Sequence, residues 1–465
     1  MPMVLLRRSD LNAAIHALDI DICPLDIIDE ALAALDHYAV QELTPILLTD
    51  RWELDERLTD FAARMRLIKR SPLTAETYAR EANLFSRYLR SRGKDLATAS
   101  EADFWSYRAL RLQGPSTSRL QPNTWNKVCA ALLELARYLK ISCEELKWST
   151  FRASYESDDR VRMICLADYL TFSRIGMGTA PRSPLRNVAF SEFLVTTGAR
   201  CTESSLLLRY ELPALRSFGT SFSVELGLSP QITKRRKARN ILYSKRVCRD
   251  FIEPYINEER SNIVGKTLKR YFPSSIYREK DLPFQSRFIF FQRETPAKAR
   301  IIAGSQVKSL IPFDRFTMEE RTKLIEVQLE PGNRYRVVDV GALWLSEQGF
   351  ALSRRAWEAA FAAACGRVLS KTGQEIHVVP HVLRHTFAVH QLNFQLRGLV
   401  EIRHKSRLLD RRGEVFDRLV GDPLRELQRR LGHRSIATTY KYLKFVEDNQ
   451  ELVDRAIREW DTVLS

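Results

Sequence analysis

The sequence predicts an all-α N-terminal domain followed by a mixed α+β, mainly helical, domain. A chain of 465 residues is long enough for two or three domains with their own cores. Apolar residues recur at helical spacing through 52–150, whereas β-branched and aromatic runs near 221–247, 286–292 and 335–345 alternate with helical patterns at 187–197 and 353–369. The predicted parts are a helical extension of unassigned role (1–51), a helical domain (52–150), a charged linker (151–160) and the mixed domain (161–465).

The charge balance favours a polyanionic partner. Lys and Arg exceed Asp and Glu by 73 to 57, a net charge of +16. Each phosphate that a basic side chain neutralises releases condensed counterions, so nucleic acid is a natural ligand. On charge alone, a merely basic soluble protein is an equally good interpretation.

Cysteine spacing and hydropathy indicate a cytoplasmic protein. The seven cysteines are scattered and none has CxxC spacing, so neither a metal site nor a disulfide framework is expected. The start, MPMVLLRRSD, lacks the apolar run of a signal peptide, and no apolar stretch approaches the roughly 18 residues of a membrane span. We therefore expect no membrane contact and a cytoplasmic, nucleoid-associated location.

Two amphipathic helices define the predicted N-terminal domain. The first has the apolar stripe Tyr78, Ala82, Phe85 and Leu89, and the second has Val128, Leu132, Leu135 and Leu139. Thr74 is the expected N-cap of the first helix and Gly93 its stop. Exposed basic positions such as Arg80 and Arg87 are candidate DNA contacts.

In the mixed domain, TTGARCTESSLLL places Arg200 three residues before Glu203. On a helix the pair shares one face, so the carboxylate can hold the guanidinium in place. Taken alone, the segment is better explained by an ordinary surface ion pair, because such pairs are common.

The segment QITKRRKARNILYSKRV is strongly basic and lies between two strand-like runs, so it predicts a basic turn at the tip of a β-hairpin. Lys234, at the end of the first strand, is expected to point its ammonium inward, with Lys237 as the alternative. Expected phosphate-backbone contacts are Arg235, Arg236, Lys237 and Arg239. The ordinary alternative is a basic loop that is simply exposed to solvent.

The segment PHVLRHTFAVH predicts a helix with Pro380 in its first turn. His381 and Arg384, three residues apart, then share a face and are able to meet the same phosphate. A buried structural histidine beside a surface arginine is the competing interpretation.

In LQRRLGHRSIATTYKYL, nine residues separate His433 from Tyr442. In one continuous helix that spacing puts the two side chains on opposite faces, so a shared site requires a turn between them. Thr438 and Thr439 are the expected N-caps of a new helix carrying Tyr442. In isolation, Tyr442 is typical of a surface tyrosine.

In this order the four segments closely resemble the tyrosine recombinase (phage integrase) family, through TGARxxE, HxLRHTFA and LGHxSIxTTxxY, over roughly 52–465. The resemblance implies a core-binding (SAM-like) domain at 52–150 and a catalytic domain at 161–465. It assigns the active site to Arg200, Lys234, His381, Arg384, His433 and Tyr442, supported by Glu203. The spacing from Lys234 to His381 and from Arg384 to His433 exceeds the family's minimum, which predicts insertions near 258–345 and 395–420.

The resemblance implies a site-specific DNA recombinase or integrase that cuts and rejoins strands through a 3′-phosphotyrosyl intermediate on Tyr442. The arginines hold the phosphate, His381 accepts or relays the phenol proton, His433 hydrogen-bonds the phosphate, and Lys234 protonates the leaving 5′-oxygen. No cofactor and no metal are expected. The implied partners are double-stranded DNA with specific recombination sites and three further copies of the chain, joined through the C-terminal helix as a homotetramer.

Three alternatives remain at this point. A topoisomerase or a telomere resolvase uses the same groups, and a non-catalytic or architectural DNA-binding protein would use the same basic surfaces. Tyr440 is the competing nucleophile.

Overall fold

The computed structural model describes residues 3–5, 44–49, 54–68, 71–117, 119–141, 146–154, 162–274, 276–285, 287–304, 309–408 and 422–443. The chain forms two units, Met1–Asp158 and Asp159–Ser465. Among the helices described, none combines the length and the apolar character that crossing a bilayer requires.

The first unit is a set of helices around an aromatic core. Its elements are β1 (Met3–Leu5), β2 (Pro45–Leu47), α1 (Glu56–Leu67), α2 (Pro72–Arg90), α3 (Glu101–Gln113), α4 (Pro122–Tyr138) and α5 (Trp148–Phe151). Phe85, Phe104 and Trp125 are fully buried at its centre. Both predicted apolar stripes face this core, so the helical assignment is confirmed.

Two local predictions for the first unit are corrected. Helix α2 begins earlier than expected because the Ser71 hydroxyl, not that of Thr74, caps it by accepting the Thr74 backbone N–H at 3.2 Å. Residues 3–5 and 45–47 form paired antiparallel strands rather than helices, and Leu47 is buried in the helical core. Residues 6–43 of the predicted helical extension lie outside the described residues.

The second unit mixes helices with two sheets. Its helices are α6 (Leu166–Thr171), α7 (Pro184–Thr197), α8 (Cys201–Ser205), α9 (Ser261–Tyr271), α10 (Arg354–Thr372), α11 (Pro380–Leu408), α12 (Pro423–Leu431) and α13 (Ala437–Tyr440). Its strands are β3 (Ser223–Leu228), β4 (Arg239–Ser244), β5 (Ile276–Arg278), β6 (Ile289–Thr295), β7 (Lys298–Ala303), β8 (Leu310–Pro312), β9 (Leu324–Glu330) and β10 (Arg334–Val340). The predicted α+β class, the hairpin β3–β4 and the helices near 187–197 and 353–369 are confirmed.

A six-stranded mixed sheet occupies the region where an insertion was predicted. Its order is β5-β10-β9-β6-β7-β8, in which only the β6–β9 pair is parallel. Arg260, just before α9, is buried and binds Asp339 on β10 at 2.9 Å. The indole of Trp344, four residues after β10, donates to the carbonyl of Ser204 in α8 at 2.8 Å. The sheet is therefore fastened to the helix that carries Glu203.

The central helix α7 is held by aromatic packing and stopped by a glycine. Phe190 stacks on Trp357 of α10 with ring centroids 3.5 Å apart. Gly198 ends α7 with a φ of +63°, a conformation that favours glycine. A Cβ at this position would lie 2.2 Å from the ring of Phe387 on α11. The glycine thus permits both the turn toward Arg200 and the close approach of α11.

Replacing Gly198 with alanine is expected to destabilise the second unit by about 2–5 kcal/mol, because a left-handed alanine costs about 1–2 kcal/mol and overpacking about 1–3 kcal/mol. Urea unfolding of the full chain measures the difference. Gly366→Ala is the control, since a Cβ there meets nothing within 4 Å on helix α10 and helix propensity favours alanine by about 1 kcal/mol. Equal midpoints for the two variants would contradict this account of the α7–α8 corner.

Candidate active site

Arg200 and Glu203 form the first part of the candidate site. Arg200 caps the N-terminus of α8, and its backbone N–H and its Nη1 each donate to one carboxylate oxygen of Glu203 at 2.8 Å. The Glu203 side chain is only 1% exposed, whereas that of Arg200 is 27% exposed. The buried carboxylate therefore holds Arg200 while part of the guanidinium stays open to a ligand, as the sequence predicted for the pair.

Arg239 completes the environment of Glu203. Its Nη2 donates to Glu203 and its Nη1 donates to the carbonyl of Arg430 near the end of α12. Burial pushes the pKa of Glu203 upward, but the charge of Arg239 and the donors of Arg200 outweigh it and hold that pKa below its ordinary value. The expectation that Arg239 is a surface DNA contact is corrected, because its guanidinium is committed inside the protein.

Arg384 lies deeper and binds two helix ends. It is 2% exposed, and its terminal nitrogens donate to the carbonyl of Gly198 at the end of α7 and of Leu431 at the end of α12. Burial, followed by the nearby charges of Arg200 and Arg239, lowers its pKa to about 9. We call Arg239 and Arg384 the arginine clamp, since both bind the last carbonyls of α12.

Glycine makes the clamp possible at the end of α12. Gly432 has a φ of +63°, and a Cβ on it would lie 2.9 Å from Cδ of Arg239. Packing therefore explains why a glycine precedes His433 in the motif. Only glycine allows the chain to turn here without displacing Arg239.

The basic hairpin lies beside this cluster, with β3 and β4 antiparallel. Lys234 was expected at the end of β3 pointing inward; instead it begins a 3₁₀ turn, Lys234–Arg236, six residues beyond Leu228, and is exposed. Arg236 and Lys237 are also exposed. The side chain of Arg235 lies outside the described part of the chain.

A cleft of about 1120 Å³ opens between the hairpin and α12. The charged residues that line it are Arg200, Lys234, Lys237, Arg239, Arg429, Arg430 and Arg434, against Glu225 and Glu426, and His433 lines it as well. Seven cationic side chains against two carboxylates make the cleft positive. Such a surface suits a phosphate backbone.

The segment after α12 brings His433 and Tyr442 together. Helix α13 intervenes, so the predicted break between them is confirmed. The predicted N-caps are wrong, because Thr438 and Thr439 lie inside α13, and the Thr439 hydroxyl pairs with Nδ1 of His433 at 3.1 Å. Tyr442 lies in the turn that follows the helix, not on the helix itself.

Tyr442 is buried, not a surface residue. Its side chain is 1% exposed and packs with Leu427 and Leu431. Burial raises its pKa to about 12, while the charges of Arg384 and Arg200 oppose that rise. Tyr440, the competing nucleophile, is 50% exposed.

The phenol of Tyr442 contacts a residue that the sequence reasoning did not single out. Its hydroxyl lies 2.9 Å from Nδ1 of His385. The ring of His385 in turn lies 4.4 Å, centroid to centroid, from that of His381. The available signal was the second histidine of HxLRHTFA, one helical turn after His381 and therefore on the same face.

All three histidines near Tyr442 are neutral at pH 7. Burial, then the neighbouring charges, lowers the pKa of His381 to about 4, of His385 to about 3 and of His433 to about 3. The cations that face them include Arg384 and Lys441. Neutral imidazoles in a cationic setting are able to accept hydrogen bonds or protons.

In the first unit, Arg80 and Arg87 are both exposed on helix α2. Seven residues correspond to nearly two helical turns, so both lie on one side of the helix. That side remains a candidate for DNA contact.

No family model matches the chain. A curated relative, tyrosine recombinase XerC of Oceanobacillus iheyensis, is 26% identical over 172 residues, which cover 37% of this chain and 43% of the relative. The chain thus matches less than half the length of that relative. Similar solved structures include XerH bound to its difH substrate before cleavage (15% identity, TM-score 0.46, 96% of this chain and 92% of that one) and the Tn1549 transposon integrase with circular intermediate DNA (12% identity, TM-score 0.43, 83% and 94%). Structural likenesses this weak establish no activity.

The ordered motifs and the curated relative agree on one family. Both indicate the tyrosine recombinase family, to a member of which this chain is similar over 172 residues.

Replacing Glu203 with glutamine is expected to cost about 3 kcal/mol of unfolding free energy at pH 7, because it leaves the buried Arg239 without its counter-charge. The folded pKa of Glu203 is depressed, so its contribution is complete above the unfolded value near 4.5 and is lost as the pH falls through the folded value. Urea titrations from pH 7 to 3 measure the difference between wild type and variant, which should shrink at the acid end. Glu225→Gln, an exposed carboxylate at the same cleft, should change stability by less than about 0.5 kcal/mol; a Glu203 effect that is small or independent of pH would contradict the assignment.

Proposed function

We propose that the protein is a site-specific DNA recombinase or integrase that cuts and rejoins strands through a 3′-phosphotyrosyl bond on Tyr442. The observation that carries the proposal is the placement of one buried phenol beside Arg384 and Arg200, next to a cleft lined by seven cationic side chains. A phosphodiester bound in that cleft would supply the negative charge that balances these cationic side chains.

The proposed reaction is a transesterification. The phenol of Tyr442 gives its proton to a neighbouring histidine as its oxygen attacks phosphorus, the bond to the 5′-oxygen breaks, and a lysine of the hairpin tip protonates the leaving oxygen. Lys234 is our first choice for that acid, and Lys237 lines the same cleft. Forked guanidinium donors stabilise the added charge on the non-bridging oxygens, and each such donor is worth about 3 kcal/mol in the transition state by analogy with oxyanion holes.

The reaction balances without a consumed cofactor. The phosphotyrosyl bond retains the energy of the phosphodiester, so a 5′-hydroxyl of a second strand reverses the step. His433, half-buried at the cleft and stacked within 10° of parallel to the Tyr442 ring, is proposed to hydrogen-bond the phosphate. The proposed partner is double-stranded DNA with specific recombination sites, contacted also by Arg80 and Arg87.

A homotetramer on DNA, joined through the C-terminal helix, is part of the proposal. The residues concerned, 447–465, lie outside the described ranges, so only their sequence bears on it. Deleting them should weaken assembly on paired sites by at least tenfold and change single-site affinity little. Analytical ultracentrifugation with one-site and two-site DNA measures both, and unchanged assembly would remove the tail from the proposal.

A nicked suicide substrate tests the enzyme directly, because the short fragment beyond the cut diffuses away and traps the adduct. The wild type should form an SDS-resistant protein–DNA adduct, Tyr442→Phe should form none, and Tyr440→Phe should form it at nearly the wild-type rate.

The opposite result for the two tyrosines would move the nucleophile to Tyr440. Adduct with none of the three proteins would identify a non-catalytic DNA-binding protein. Supercoil relaxation without exchange between specific sites would identify a topoisomerase, and hairpin ends would identify a telomere resolvase.

A further inference from the structure

The hydrogen bond of the Tyr442 hydroxyl points to a base other than the one that the motif pattern suggests. Among the described residues, the partner of that hydroxyl is Nδ1 of His385 at 2.9 Å. His381 contacts His385 rather than the phenol, edge to face with ring centroids 4.4 Å apart. The chain of contacts therefore runs from Tyr442 to His385 and then to His381.

Helix α11 fixes this arrangement. His381 and His385 are four residues apart and so lie one above the other on the same face. Arg384, adjacent in sequence, is held by Gly198 and Leu431, which fixes the rotation of the helix about its axis. The imidazole of His385 is thus aimed at the phenol by the same contacts that place Arg384.

Burial, followed by the charges around it, lowers the pKa of His385 and keeps it neutral before a substrate arrives. Facing it are Arg384 and His381 from α11, and Lys441, Tyr442 and His433 from the C-terminal segment. A neutral imidazole whose Nδ1 lies within hydrogen-bond distance of a phenol satisfies the geometric requirement for a general base.

We propose that His385 is the general base that takes the proton of Tyr442 directly. This inference rests on the proposed recombinase reaction. As the phenol oxygen bonds to phosphorus, its proton passes to Nδ1 of His385, the bond to the 5′-oxygen breaks, and that oxygen takes its proton from the hairpin lysine. His385 becomes an imidazolium, and His381 lies behind it.

The substrate itself would activate this base. A phosphate bound between Arg200 and Arg384 offsets the positive potential that opposes protonation of His385. Without DNA, His385 is a weak base and Tyr442 keeps its proton. The phenol therefore becomes a nucleophile only when a DNA phosphate occupies the cleft.

Single-turnover cleavage of the nicked substrate, with fluorotyrosine at position 442, tests the proposal. His385→Phe keeps a ring of similar size but removes the acceptor, and should slow adduct formation about 10²- to 10⁴-fold with the Kd for DNA unchanged. Fluorotyrosine has a more acidic phenol and needs less help from a base. It should therefore recover most of the lost rate in His385→Phe, while changing the rate of the otherwise wild-type protein little. A merely structural defect would not respond to the acidity of the phenol.

Two further variants complete the design. His385→Gln keeps a polar side chain that cannot take a proton, so it should show the same loss and the same recovery, and it carries the comparison if the phenylalanine variant melts early. His390→Gln, on the same helix but with its ring beside that of Phe394, should cleave at the wild-type rate.

Near-wild-type cleavage by both His385 variants would overturn the proposal. So would a loss that fluorotyrosine fails to recover. A parallel His381→Phe variant that alone shows the loss and its recovery would make His381 the base. Absence of adduct with the wild type would instead overturn the recombinase function itself.

Discussion

The arginine clamp is the constraint on which the candidate site depends. Arg384 and Arg239 donate to the last carbonyls of α12, which would otherwise be unsatisfied groups at a buried helix end. Arginine suits this task because its planar fork reaches two acceptors at once. Through these bonds the position of α12, and of the segment to Tyr442 that follows it, is set by the residues around Arg200.

The clamp leaves the site short of negative charge. Burial, followed by the charges of Arg200 and Arg239, lowers the pKa of Arg384, and the carboxylate of Glu203 opposes that fall. A protein normally pairs buried charge fully, because an unpaired one costs several kcal/mol. These three arginines carry more positive charge than Glu203 balances, and they lie beside a basic cleft. A bound anion would balance the remaining charge, which is the physical reason for proposing a phosphate there.

Residues next to the strands of the six-stranded sheet hold the segment that carries Arg200 and Glu203. Arg321 is buried, binds Glu211 through two hydrogen bonds of 2.8 Å, and donates to the carbonyl of Leu206 just after α8. Together with the bond from Trp344 to Ser204, these contacts hold the segment that follows Arg200 and Glu203. The segment between the hairpin and α11 thus supports helix α8 of the candidate site.

Periodicity predicted the helices well because each buries one apolar stripe, as α2 and α4 do. It failed at caps, where Ser71 and Thr74 compete at similar cost, and at the turn that holds Lys234. The sequence order of the motifs predicted that Arg200, Arg384 and Tyr442 share one site, but could not reveal that Arg239 turns inward or that the phenol contacts His385. Those facts depend on which elements pack together, and contacts such as Arg239 to Arg430 join residues 191 positions apart.

Peptide mapping of the trapped adduct shows which tyrosine forms the covalent bond to DNA. Trypsin cuts after Lys441, so Tyr440 and Tyr442 fall on different peptides, 435–441 and 442–444. After nuclease trimming of the DNA, mass spectrometry should find the nucleotide remnant on the peptide that begins with Tyr442. A remnant on the peptide containing Tyr440, or no covalent remnant at all, would contradict the account.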